Sequence, residues 1–284
     1  MKPDSRFRLF SLTTVWAWMF VFALLPFCLV FAASFLGHSQ SSLLQLPLTL
    51  ENYAQLNNPI YLQIFKNSIL IAGTATFICL LFGYPFAYIV TRMQGTLKNL
   101  CIMLVIIPFW TSSLIRSYAL IAIIKGKGAL NTILLALGLI HEPLSLLFTN
   151  TAVVIGLVYN LLPFMILPIM TNIERLDFRL VEAARDLGAN RFTTFRRVII
   201  PLSMPGIVAG CILVFLPAMT LFYISDILGG AKSILAGNLI QNKFLIAENW
   251  PMGATLSIVL TLMLTLLIFI YLWSTRGKQA GDWI

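Results

Sequence analysis

Residues 172–201 read NIERLDFRLVEAARDLGANRFTTFRRVIIP, a charged segment that lies between two apolar stretches, about residues 151–172 and 206–227. A helix needs about 20 mostly apolar residues to cross a bilayer, and each of these stretches is long enough. Six arginines lie in the charged segment. The pattern predicts two membrane-spanning helices that are joined by a basic loop, residues 173–205.

The composition of the whole chain also indicates a membrane protein. Hydrophobic residues make up 59% of the 284 residues and charged residues 10%, and the mean hydropathy is +0.92. Soluble domains contain about 45–50% apolar and about 25% charged residues. A soluble protein with this composition would expose large apolar patches, which monomers rarely do. Because the basic residues lie between apolar runs, the net charge of +9 indicates membrane topology and no nucleic-acid partner.

Six apolar stretches are long enough to span a membrane. They lie at about residues 9–35, 67–91, 100–124, 151–172, 206–227 and 253–273. We therefore predict an all-α fold, a polytopic transmembrane bundle of six helices formed by a single domain, residues 1–284. The first apolar run is longer than the core of a cleaved signal peptide, which has about 7–15 residues, so it is predicted to be an uncleaved helix.

The basic residues predict the orientation of these helices. Of the 19 Lys and Arg, 13 fall in the N-terminal segment, the second–third loop, the fourth–fifth loop and the C-terminal tail. Five fall on the other side, and Arg116 lies within the third span. Cytoplasmic loops carry an excess of Lys and Arg. Both termini and residues 173–205 are therefore predicted to be cytoplasmic.

A short amphipathic helix is predicted within the basic loop. Asp177 is placed to cap its N-terminus, and Gly188 favours a left-handed residue that ends it. Positions i, i+3, i+4 and i+7 place four apolar residues on one face: Leu180, Ala183, Ala184 and Leu187. Two interpretations stay open from the spacing. The helix lies on the bilayer surface beside lipid headgroups, or its apolar face docks on a partner protein.

The same residues resemble the EAA motif of the permease subunits of ABC importers. The motif consists here of Glu182, Ala183, Ala184, Gly188, Val198, Ile200 and Pro201. The family more often has Ile and Leu where this chain has Val198 and Ile200. In that family the helix docks in a cleft of an ATP-hydrolysing subunit and couples its closure to the membrane helices. The resemblance implies that six residues take part in this coupling: Glu182, Ala183, Ala184, Arg185, Leu187 and Gly188.

Four further stretches resemble the first of the two permease subunits of polyamine (spermidine/putrescine) ABC importers. The stretches are residues 108–116, 201–211, 216–232 and 249–251. The resemblance implies a type I ABC importer permease fold in the bacterial inner membrane. It also implies the partners: a second homologous permease, a cytoplasmic ATPase dimer, an extracytoplasmic polyamine-binding protein and membrane lipid. ATP and Mg²⁺ would bind to the ATPase, and we expect no cofactor in this chain.

The sequence contains no motif for nucleotide binding or catalysis. It has no Gly-x-x-x-x-Gly-Lys-Ser/Thr motif and hence no phosphate-binding loop for ATP. No nucleophile and base stand out, so no catalytic residue is predicted. The four cysteines lie in apolar stretches without a Cys-x-x-Cys pair, and neither histidine lies near another candidate ligand. Neither a disulfide nor a metal site is expected, and the chain is predicted not to be an enzyme.

A pathway for polyamines should offer carboxylates, hydroxyls and aromatic faces, because these groups replace the lost hydration of ammonium groups. Asp226 lies near the outer end of the fifth predicted span, and Tyr223 lies one turn earlier on the same face. Trp110 and Tyr118 have the same chemistry. These four residues are the predicted substrate pathway.

Arg116 is the other charged residue within the predicted spans, where charges are usually functional or paired. Its charge has the wrong sign to hold a polyamine. We predict a structural role or an ion pair that breaks during transport, with Asp226 as a candidate partner. The alternative for Asp226 is a structural one, as a helix cap or as the partner of Arg116 or Lys232.

Three other functions stay open from the sequence. The same class of permease would serve another solute, such as an oxyanion or ferric ion. A proton-coupled secondary carrier would use Asp226 as its proton site, although the inverted repeats common in such carriers are not visible. A subunit that serves only assembly would tolerate loss of the Asp226 charge.

Overall fold

Six helices of the structure are long and apolar enough to cross a membrane. The computed structural model describes residues 5–39, 42–45, 48–230 and 233–279. The six helices are Ser11–Ala33, Pro59–Arg92, Ser113–Ala136, Asn150–Glu174, Arg191–Thr220 and Trp250–Phe269. The predicted all-α class with six spans is confirmed, and the described residues add one short β-hairpin.

Among the described residues, the first half of the chain contains seven α-helices and the hairpin. In order, these are α1 (Ser5–Met19), a π-helical turn (Phe20–Leu24), α2 (Leu25–Ala33), β1 (Gly37–Ser39), β2 (Ser42–Gln45), α3 (Glu51–Gln55), α4 (Pro59–Arg92), α5 (Thr96–Ile106), a 3₁₀ turn (Ile107–Trp110), α6 (Ser113–Ile124) and α7 (Ala129–Ala136). The two strands pair antiparallel, with Gly37 opposite Gln45.

The second half contains the remaining helices. In order, these are α8 (Asn150–Glu174), α9 (Arg179–Asp186), α10 (Arg191–Thr194), a π-helical segment (Phe195–Ile199), α11 (Ile200–Thr220), α12 (Phe222–Ile224), a second π-helical segment (Ser225–Gly229), α13 (Ala236–Leu245) and α14 (Trp250–Gln279). The predicted cytoplasmic loop therefore contains α9 and α10.

The described residues up to 62 and those from 239 to 279 form one compact unit of the structure. Within it, Ser34 joins three helices. Its carbonyl oxygen accepts hydrogen bonds from Asn52 Nδ2 at 3.2 Å and from Thr255 Oγ1 at 3.1 Å, and its hydroxyl lies 2.8 Å from the Tyr53 hydroxyl. These bonds tie the end of α2 to α3 and α14, and they satisfy polar groups that are buried there.

Residues 63–238 form the second unit, in which α8 packs against α11. Met165 and Ile169 of α8 are fully buried. On α11, Gly206 and Gly210 approach α8 closely. A Cβ on Gly210 would lie 2.7 Å from the Met165 sulfur, and one on Gly206 would lie 2.6 Å from the Asn172 Cβ. Small residues spaced four apart let membrane helices meet at short distance.

The third predicted span differs from the structure. The sequence predicts one helix over residues 100–124, whereas the structure ends α5 at Ile106 and begins α6 at Ser113. Pro108 lacks a backbone N–H, and Thr111 adopts an extended conformation with φ −98° and ψ 144°. The spanning helix is consequently displaced along the chain to Ser113–Ala136, with a turn between α6 and α7.

The fifth predicted span ends earlier than expected. The sequence predicts a helix over residues 206–227, but α11 ends at Thr220 because Leu221 leaves helical geometry with a ψ of 73°. The chain continues through α12 and the second π-helical segment to Gly230, which has a φ of +57°. Asp226 therefore lies in a short segment after the spanning helix and not within it.

The close contact of α8 and α11 yields a prediction about stability. Gly210→Ala should lower the Tm of the purified protein, since an added methyl group in a well-packed interior costs about 1–3 kcal/mol. Gly73→Ala is the matched control, because Gly73 also lies in a membrane helix but has no atom within 4 Å of its added Cβ. The control should keep its Tm or raise it slightly. Equal Tm values for both variants would contradict this packing.

Candidate functional site

Helix α9 and the two residues after it, Leu187 and Gly188, contain the predicted coupling residues, and both ends of the helix are fixed by local hydrogen bonds. At the start, Asp177 Oδ1 accepts from the Arg179 N–H at 3.0 Å, although Phe178 and not Asp177 occupies the N-cap position. At the end, Gly188 has a φ of +86°, and its N–H donates to the Arg185 carbonyl at 2.9 Å. The predicted left-handed glycine stop is confirmed.

The apolar face of α9 is accessible. Leu187 is 90% exposed, and Leu180 and Ala183 are also exposed, while Ala184 is partly buried. Val181 is the inward-facing residue of the helix, with 5% exposure. The helix thus rests on Val181 and presents its other apolar side chains outward, where a second protein can cover them.

The charged residues of α9 are accessible as well. Glu182 and Arg185 are exposed, and neither forms an ion pair in the part of the chain that the structure describes. The ion pair found among those residues joins Lys98 Nζ to Glu174 Oε1 at 2.7 Å, at the base of α8. The charges of the motif are therefore free to contact another subunit.

Aromatic rings attach the segment after α9 to helix α4. The Phe195 ring makes edge-to-face contacts with the Tyr84 and Tyr88 rings, with centroids 5.8 Å and 5.5 Å apart. The Tyr84 hydroxyl lies 3.0 Å from Ser203 Oγ at the start of α11. Edge-to-face contacts of this kind add about 0.5–1.5 kcal/mol each beyond the burial of the rings.

A cation attaches the residue before α9 to the same helix. Arg92, the last residue of α4, places its guanidinium carbon 4.8 Å from the centroid of the Tyr88 ring and 5.2 Å from that of the Phe178 ring. Both distances fall within the range of cation–π contact. The sequence analysis did not identify Arg92, because its partner Phe178 is distant in the chain.

A cavity of about 460 Å³ lies where the helix interruptions at Thr111–Ser112 and Leu221 meet α8. Its polar lining consists of Thr111, Ser112, Ser113, Arg116, Asn160 and Tyr223. The cavity brings together two of the residues predicted from the sequence, Arg116 and Tyr223. The Tyr223 hydroxyl donates to Ser113 Oγ at 3.0 Å, which links α12 to the start of α6.

Arg116 enters this cavity without an ion-pair partner. Its Nε and Nη1 atoms are buried and form no hydrogen bond with any described residue, and its guanidinium carbon lies 6.0 Å from the centroid of the Tyr159 ring. Asn160, also in the cavity, keeps its Oδ1 free while its Nδ2 donates to the Gly156 carbonyl. The residues that line the cavity therefore carry buried, unsatisfied donors and one buried, unsatisfied acceptor. The candidate pair of Arg116 with Asp226 is not formed in this conformation.

Asp226 is exposed and lies outside the lining of the cavity. Its Oδ1 accepts a hydrogen bond from Asn238 Nδ2 at 2.5 Å. Asn238 is itself buried, where its Nδ2 also donates to the Phe222 carbonyl and its Oδ1 accepts from the Leu235 N–H. The alternative partner Lys232 lies outside the described residues. The carboxylate is thus held on one side by a fixed amide and accessible on the other.

Trp110 and Tyr118 are 83% and 61% exposed, and neither lines the cavity. The structure therefore does not assemble the four predicted residues into one cluster. The sequence analysis missed four polar residues of the cavity and the amide that supports Asp226: Thr111, Ser112, Ser113, Asn160 and Asn238. Asn160 had a visible signal, an amide in the middle of an apolar run. Among the described residues, no three His, Cys, Asp or Glu side chains converge as metal ligands.

Comparison with known proteins identifies relatives over almost the full chain. Residues 79–277 match the family described as the binding-protein-dependent transport system inner membrane component. The chain is 51% identical to the spermidine/putrescine transport system permease protein of Haemophilus influenzae, over 94% of each chain. It is 47% identical to the protein of the same name from Escherichia coli, over 93% of this chain and 96% of that protein.

Solved structures support the same fold at lower sequence identity. A bacterial ABC transporter involved in the import of the acidic polysaccharide alginate matches with a TM-score of 0.75 and 16% identity, over 97% of this chain and 96% of that chain. The fold is accordingly that of a type I ABC importer permease. The chain belongs to the family of binding-protein-dependent transport system inner membrane components, and it is a multi-pass protein of the inner membrane.

Proposed function

We propose that this chain is a permease subunit of an ATP-driven polyamine importer and takes up spermidine or putrescine. The observation that carries the proposal is the identity of 47–51% to spermidine/putrescine permeases over more than nine-tenths of the chain. A second, homologous permease completes the pathway, and an extracytoplasmic binding protein delivers the solute. Both termini and α9 face the cytoplasm, as the distribution of Lys and Arg predicts.

Helix α9 would dock on one subunit of a cytoplasmic ATPase dimer, which binds ATP and Mg²⁺. The exposed faces of Leu180, Ala183 and Leu187 support this role, because a partner that covers them gains about 25 cal/mol for each Å² of apolar surface removed from water. Glu182 and Arg185 flank this face with free charges. Closure of the ATPase dimer would move α9 and switch the pathway between its inward-facing and outward-facing states.

The polyamine would meet Asp226 as its principal anionic contact. The carboxylate is exposed, and Asn238 fixes only its Oδ1, which leaves Oδ2 for an ammonium group. The exposed rings of Trp110 and Tyr118 offer cation–π contact, and Tyr223 lies at the cavity. Arg116 would repel the ammonium groups, so its role is structural or that of a gate. Weak, sequential contacts suit a pathway that must also release its solute.

The docking face of α9 yields a prediction about coupling. Leu187→Glu places a charge where the ATPase cleft should be apolar, and the side chain is 90% exposed, so the fold should tolerate it. We expect spermidine uptake by reconstituted proteoliposomes to fall at least about tenfold, the factor that corresponds to about 1.4 kcal/mol of lost docking energy. Asp186→Ala, on the other face of the same helix, is the control and should transport normally. Unchanged uptake by Leu187→Glu would contradict the docking.

The role of Asp226 yields a prediction about solute affinity. Asp226→Asn removes one charge from a hydrogen-bonded contact that is worth about 1.5–3 kcal/mol, so the half-saturating concentration for spermidine uptake should rise roughly tenfold or more. Glu142→Gln is the control, because Glu142 is an exposed acid on a loop of the same unit. The measurement is initial uptake of labelled spermidine against its concentration. A rise of the same size in both variants would show that only net surface charge matters.

A further inference from the structure

The segment that contains α9 contacts the end of α4 on both of its sides. Before α9, Phe178 faces the Arg92 guanidinium, and after α9, Phe195 faces the rings of Tyr84 and Tyr88. Arg92, Tyr84 and Tyr88 all lie in the last three turns of α4. Phe195 itself belongs to the spanning helix Arg191–Thr220. A displacement of α9 therefore acts on that helix through the chain and on the end of α4 through Arg92 and these rings.

We propose that Arg92 is a positioning residue for coupling: its guanidinium, between the Tyr88 and Phe178 rings, makes α9 and the end of α4 move together. The inference rests on the proposed function, in which α9 receives the movement of the ATPase. An arginine suits this position because its guanidinium is planar and stacks on two rings at once, whereas a lysine ammonium is a compact point charge. Arg92 forms no ion pair in the described part of the chain, so the rings are its visible partners.

A proline inside α4 explains why the contact of Phe195 with this helix is needed for coupling. Pro85 lies between Tyr84 and Tyr88, where it removes one backbone hydrogen bond and weakens the helix locally. The Phe195 ring contacts both tyrosines and therefore bridges the helix across the proline. The bridge lets the end of α4 transmit a displacement that a proline bend alone would absorb.

The other part of α4 reaches the segment that holds Asp226. Ser68 is fully buried, and its Oγ accepts from the Ala236 N–H at 2.8 Å. Two residues further along, Asn238 donates to Asp226. Ser68 and Arg92 are separated by 24 residues, which is about 36 Å of helix at about 1.5 Å per residue. One helix thus contacts the coupling segment near one end and the support of the candidate solute carboxylate near the other.

The test uses the complete importer in proteoliposomes and measures spermidine uptake together with ATP hydrolysis. Arg92→Gln should lower the spermidine taken up per ATP hydrolysed by roughly fivefold, the size expected for loss of stacked cation–π contacts in a coupling path. The basal hydrolysis measured without the binding protein should stay near its normal rate. Arg92→Lys should give an intermediate ratio. Arg175→Gln is the matched control, since Arg175 is an exposed arginine of the loop that contains α9 and makes no aromatic contact among the described residues.

A second variant separates coupling from folding. Phe178→Leu keeps an apolar side chain but removes the ring, and it should lower the ratio to a similar extent. The double variant Arg92→Gln/Phe178→Leu should be no worse than either single variant, because both remove the same contact. A normal ratio in Phe178→Leu, or additive effects in the double variant, would overturn the inference. So would uptake and hydrolysis that fall in parallel in every variant.

Measurements on the wild-type importer distinguish a failure of this inference from a failure of the proposed polyamine cargo. If it hydrolyses ATP in response to its binding protein but takes up no spermidine, the assignment of a polyamine fails. The Arg92 inference is then judged by the stimulation of hydrolysis by the binding protein, which should be lost in Arg92→Gln and kept in Arg175→Gln. Stimulation that persists in Arg92→Gln would overturn it.

Discussion

The hydrocarbon core of a bilayer offers no hydrogen-bonding partner to a free backbone N–H or C=O group, and the fold of this chain follows from that constraint. The spanning helices satisfy this constraint with backbone hydrogen bonds that form within each helix. Two interruptions, at Thr111–Ser112 and at Leu221, line the same cavity of about 460 Å³. Irregular backbone at membrane depth is tolerated where it is buried in protein or lines a cavity. Polar side chains such as Ser113 and Tyr223 stand beside the interruptions, so the cavity and the breaks in the helices form one feature.

The features that depend on local composition were predictable from the sequence. The number of spans follows from the length of the apolar runs, and the end of α9 follows from Gly188, whose φ of +86° is disfavoured for other residues. The interruption before α6 was not predicted, because a count of apolar residues treats Pro108 and its neighbours as part of one run. The signal was present in the order of residues, since a proline is followed three residues later by Thr111 and then by Ser112.

Contacts between distant parts of the chain were beyond the reach of sequence patterns. The separation of Phe195 from Tyr84 exceeds one hundred residues, and no periodicity connects them. The same holds for Ser68 and Ala236, which meet through one hydrogen bond. Tyr223 lines the cavity and Asp226 does not. Their placement on one face assumed a regular α-helix, whereas a π-helical segment begins at Ser225.

The positions of the charges fit a pathway that moves cations without retaining them. Asp226 is exposed and supported by Asn238, whereas Arg116 lines the cavity with its Nε and Nη1 unpaired. Under the proposed function, a polyamine that leaves the carboxylate meets a region of positive potential and is not trapped there. Because α4 contacts the support of Asp226 through Ser68 and the coupling segment through Arg92, movement of that helix can change the carboxylate contact when the ATPase closes. Affinity for the solute would then vary with the state of the ATPase, which is the requirement for transport in one direction.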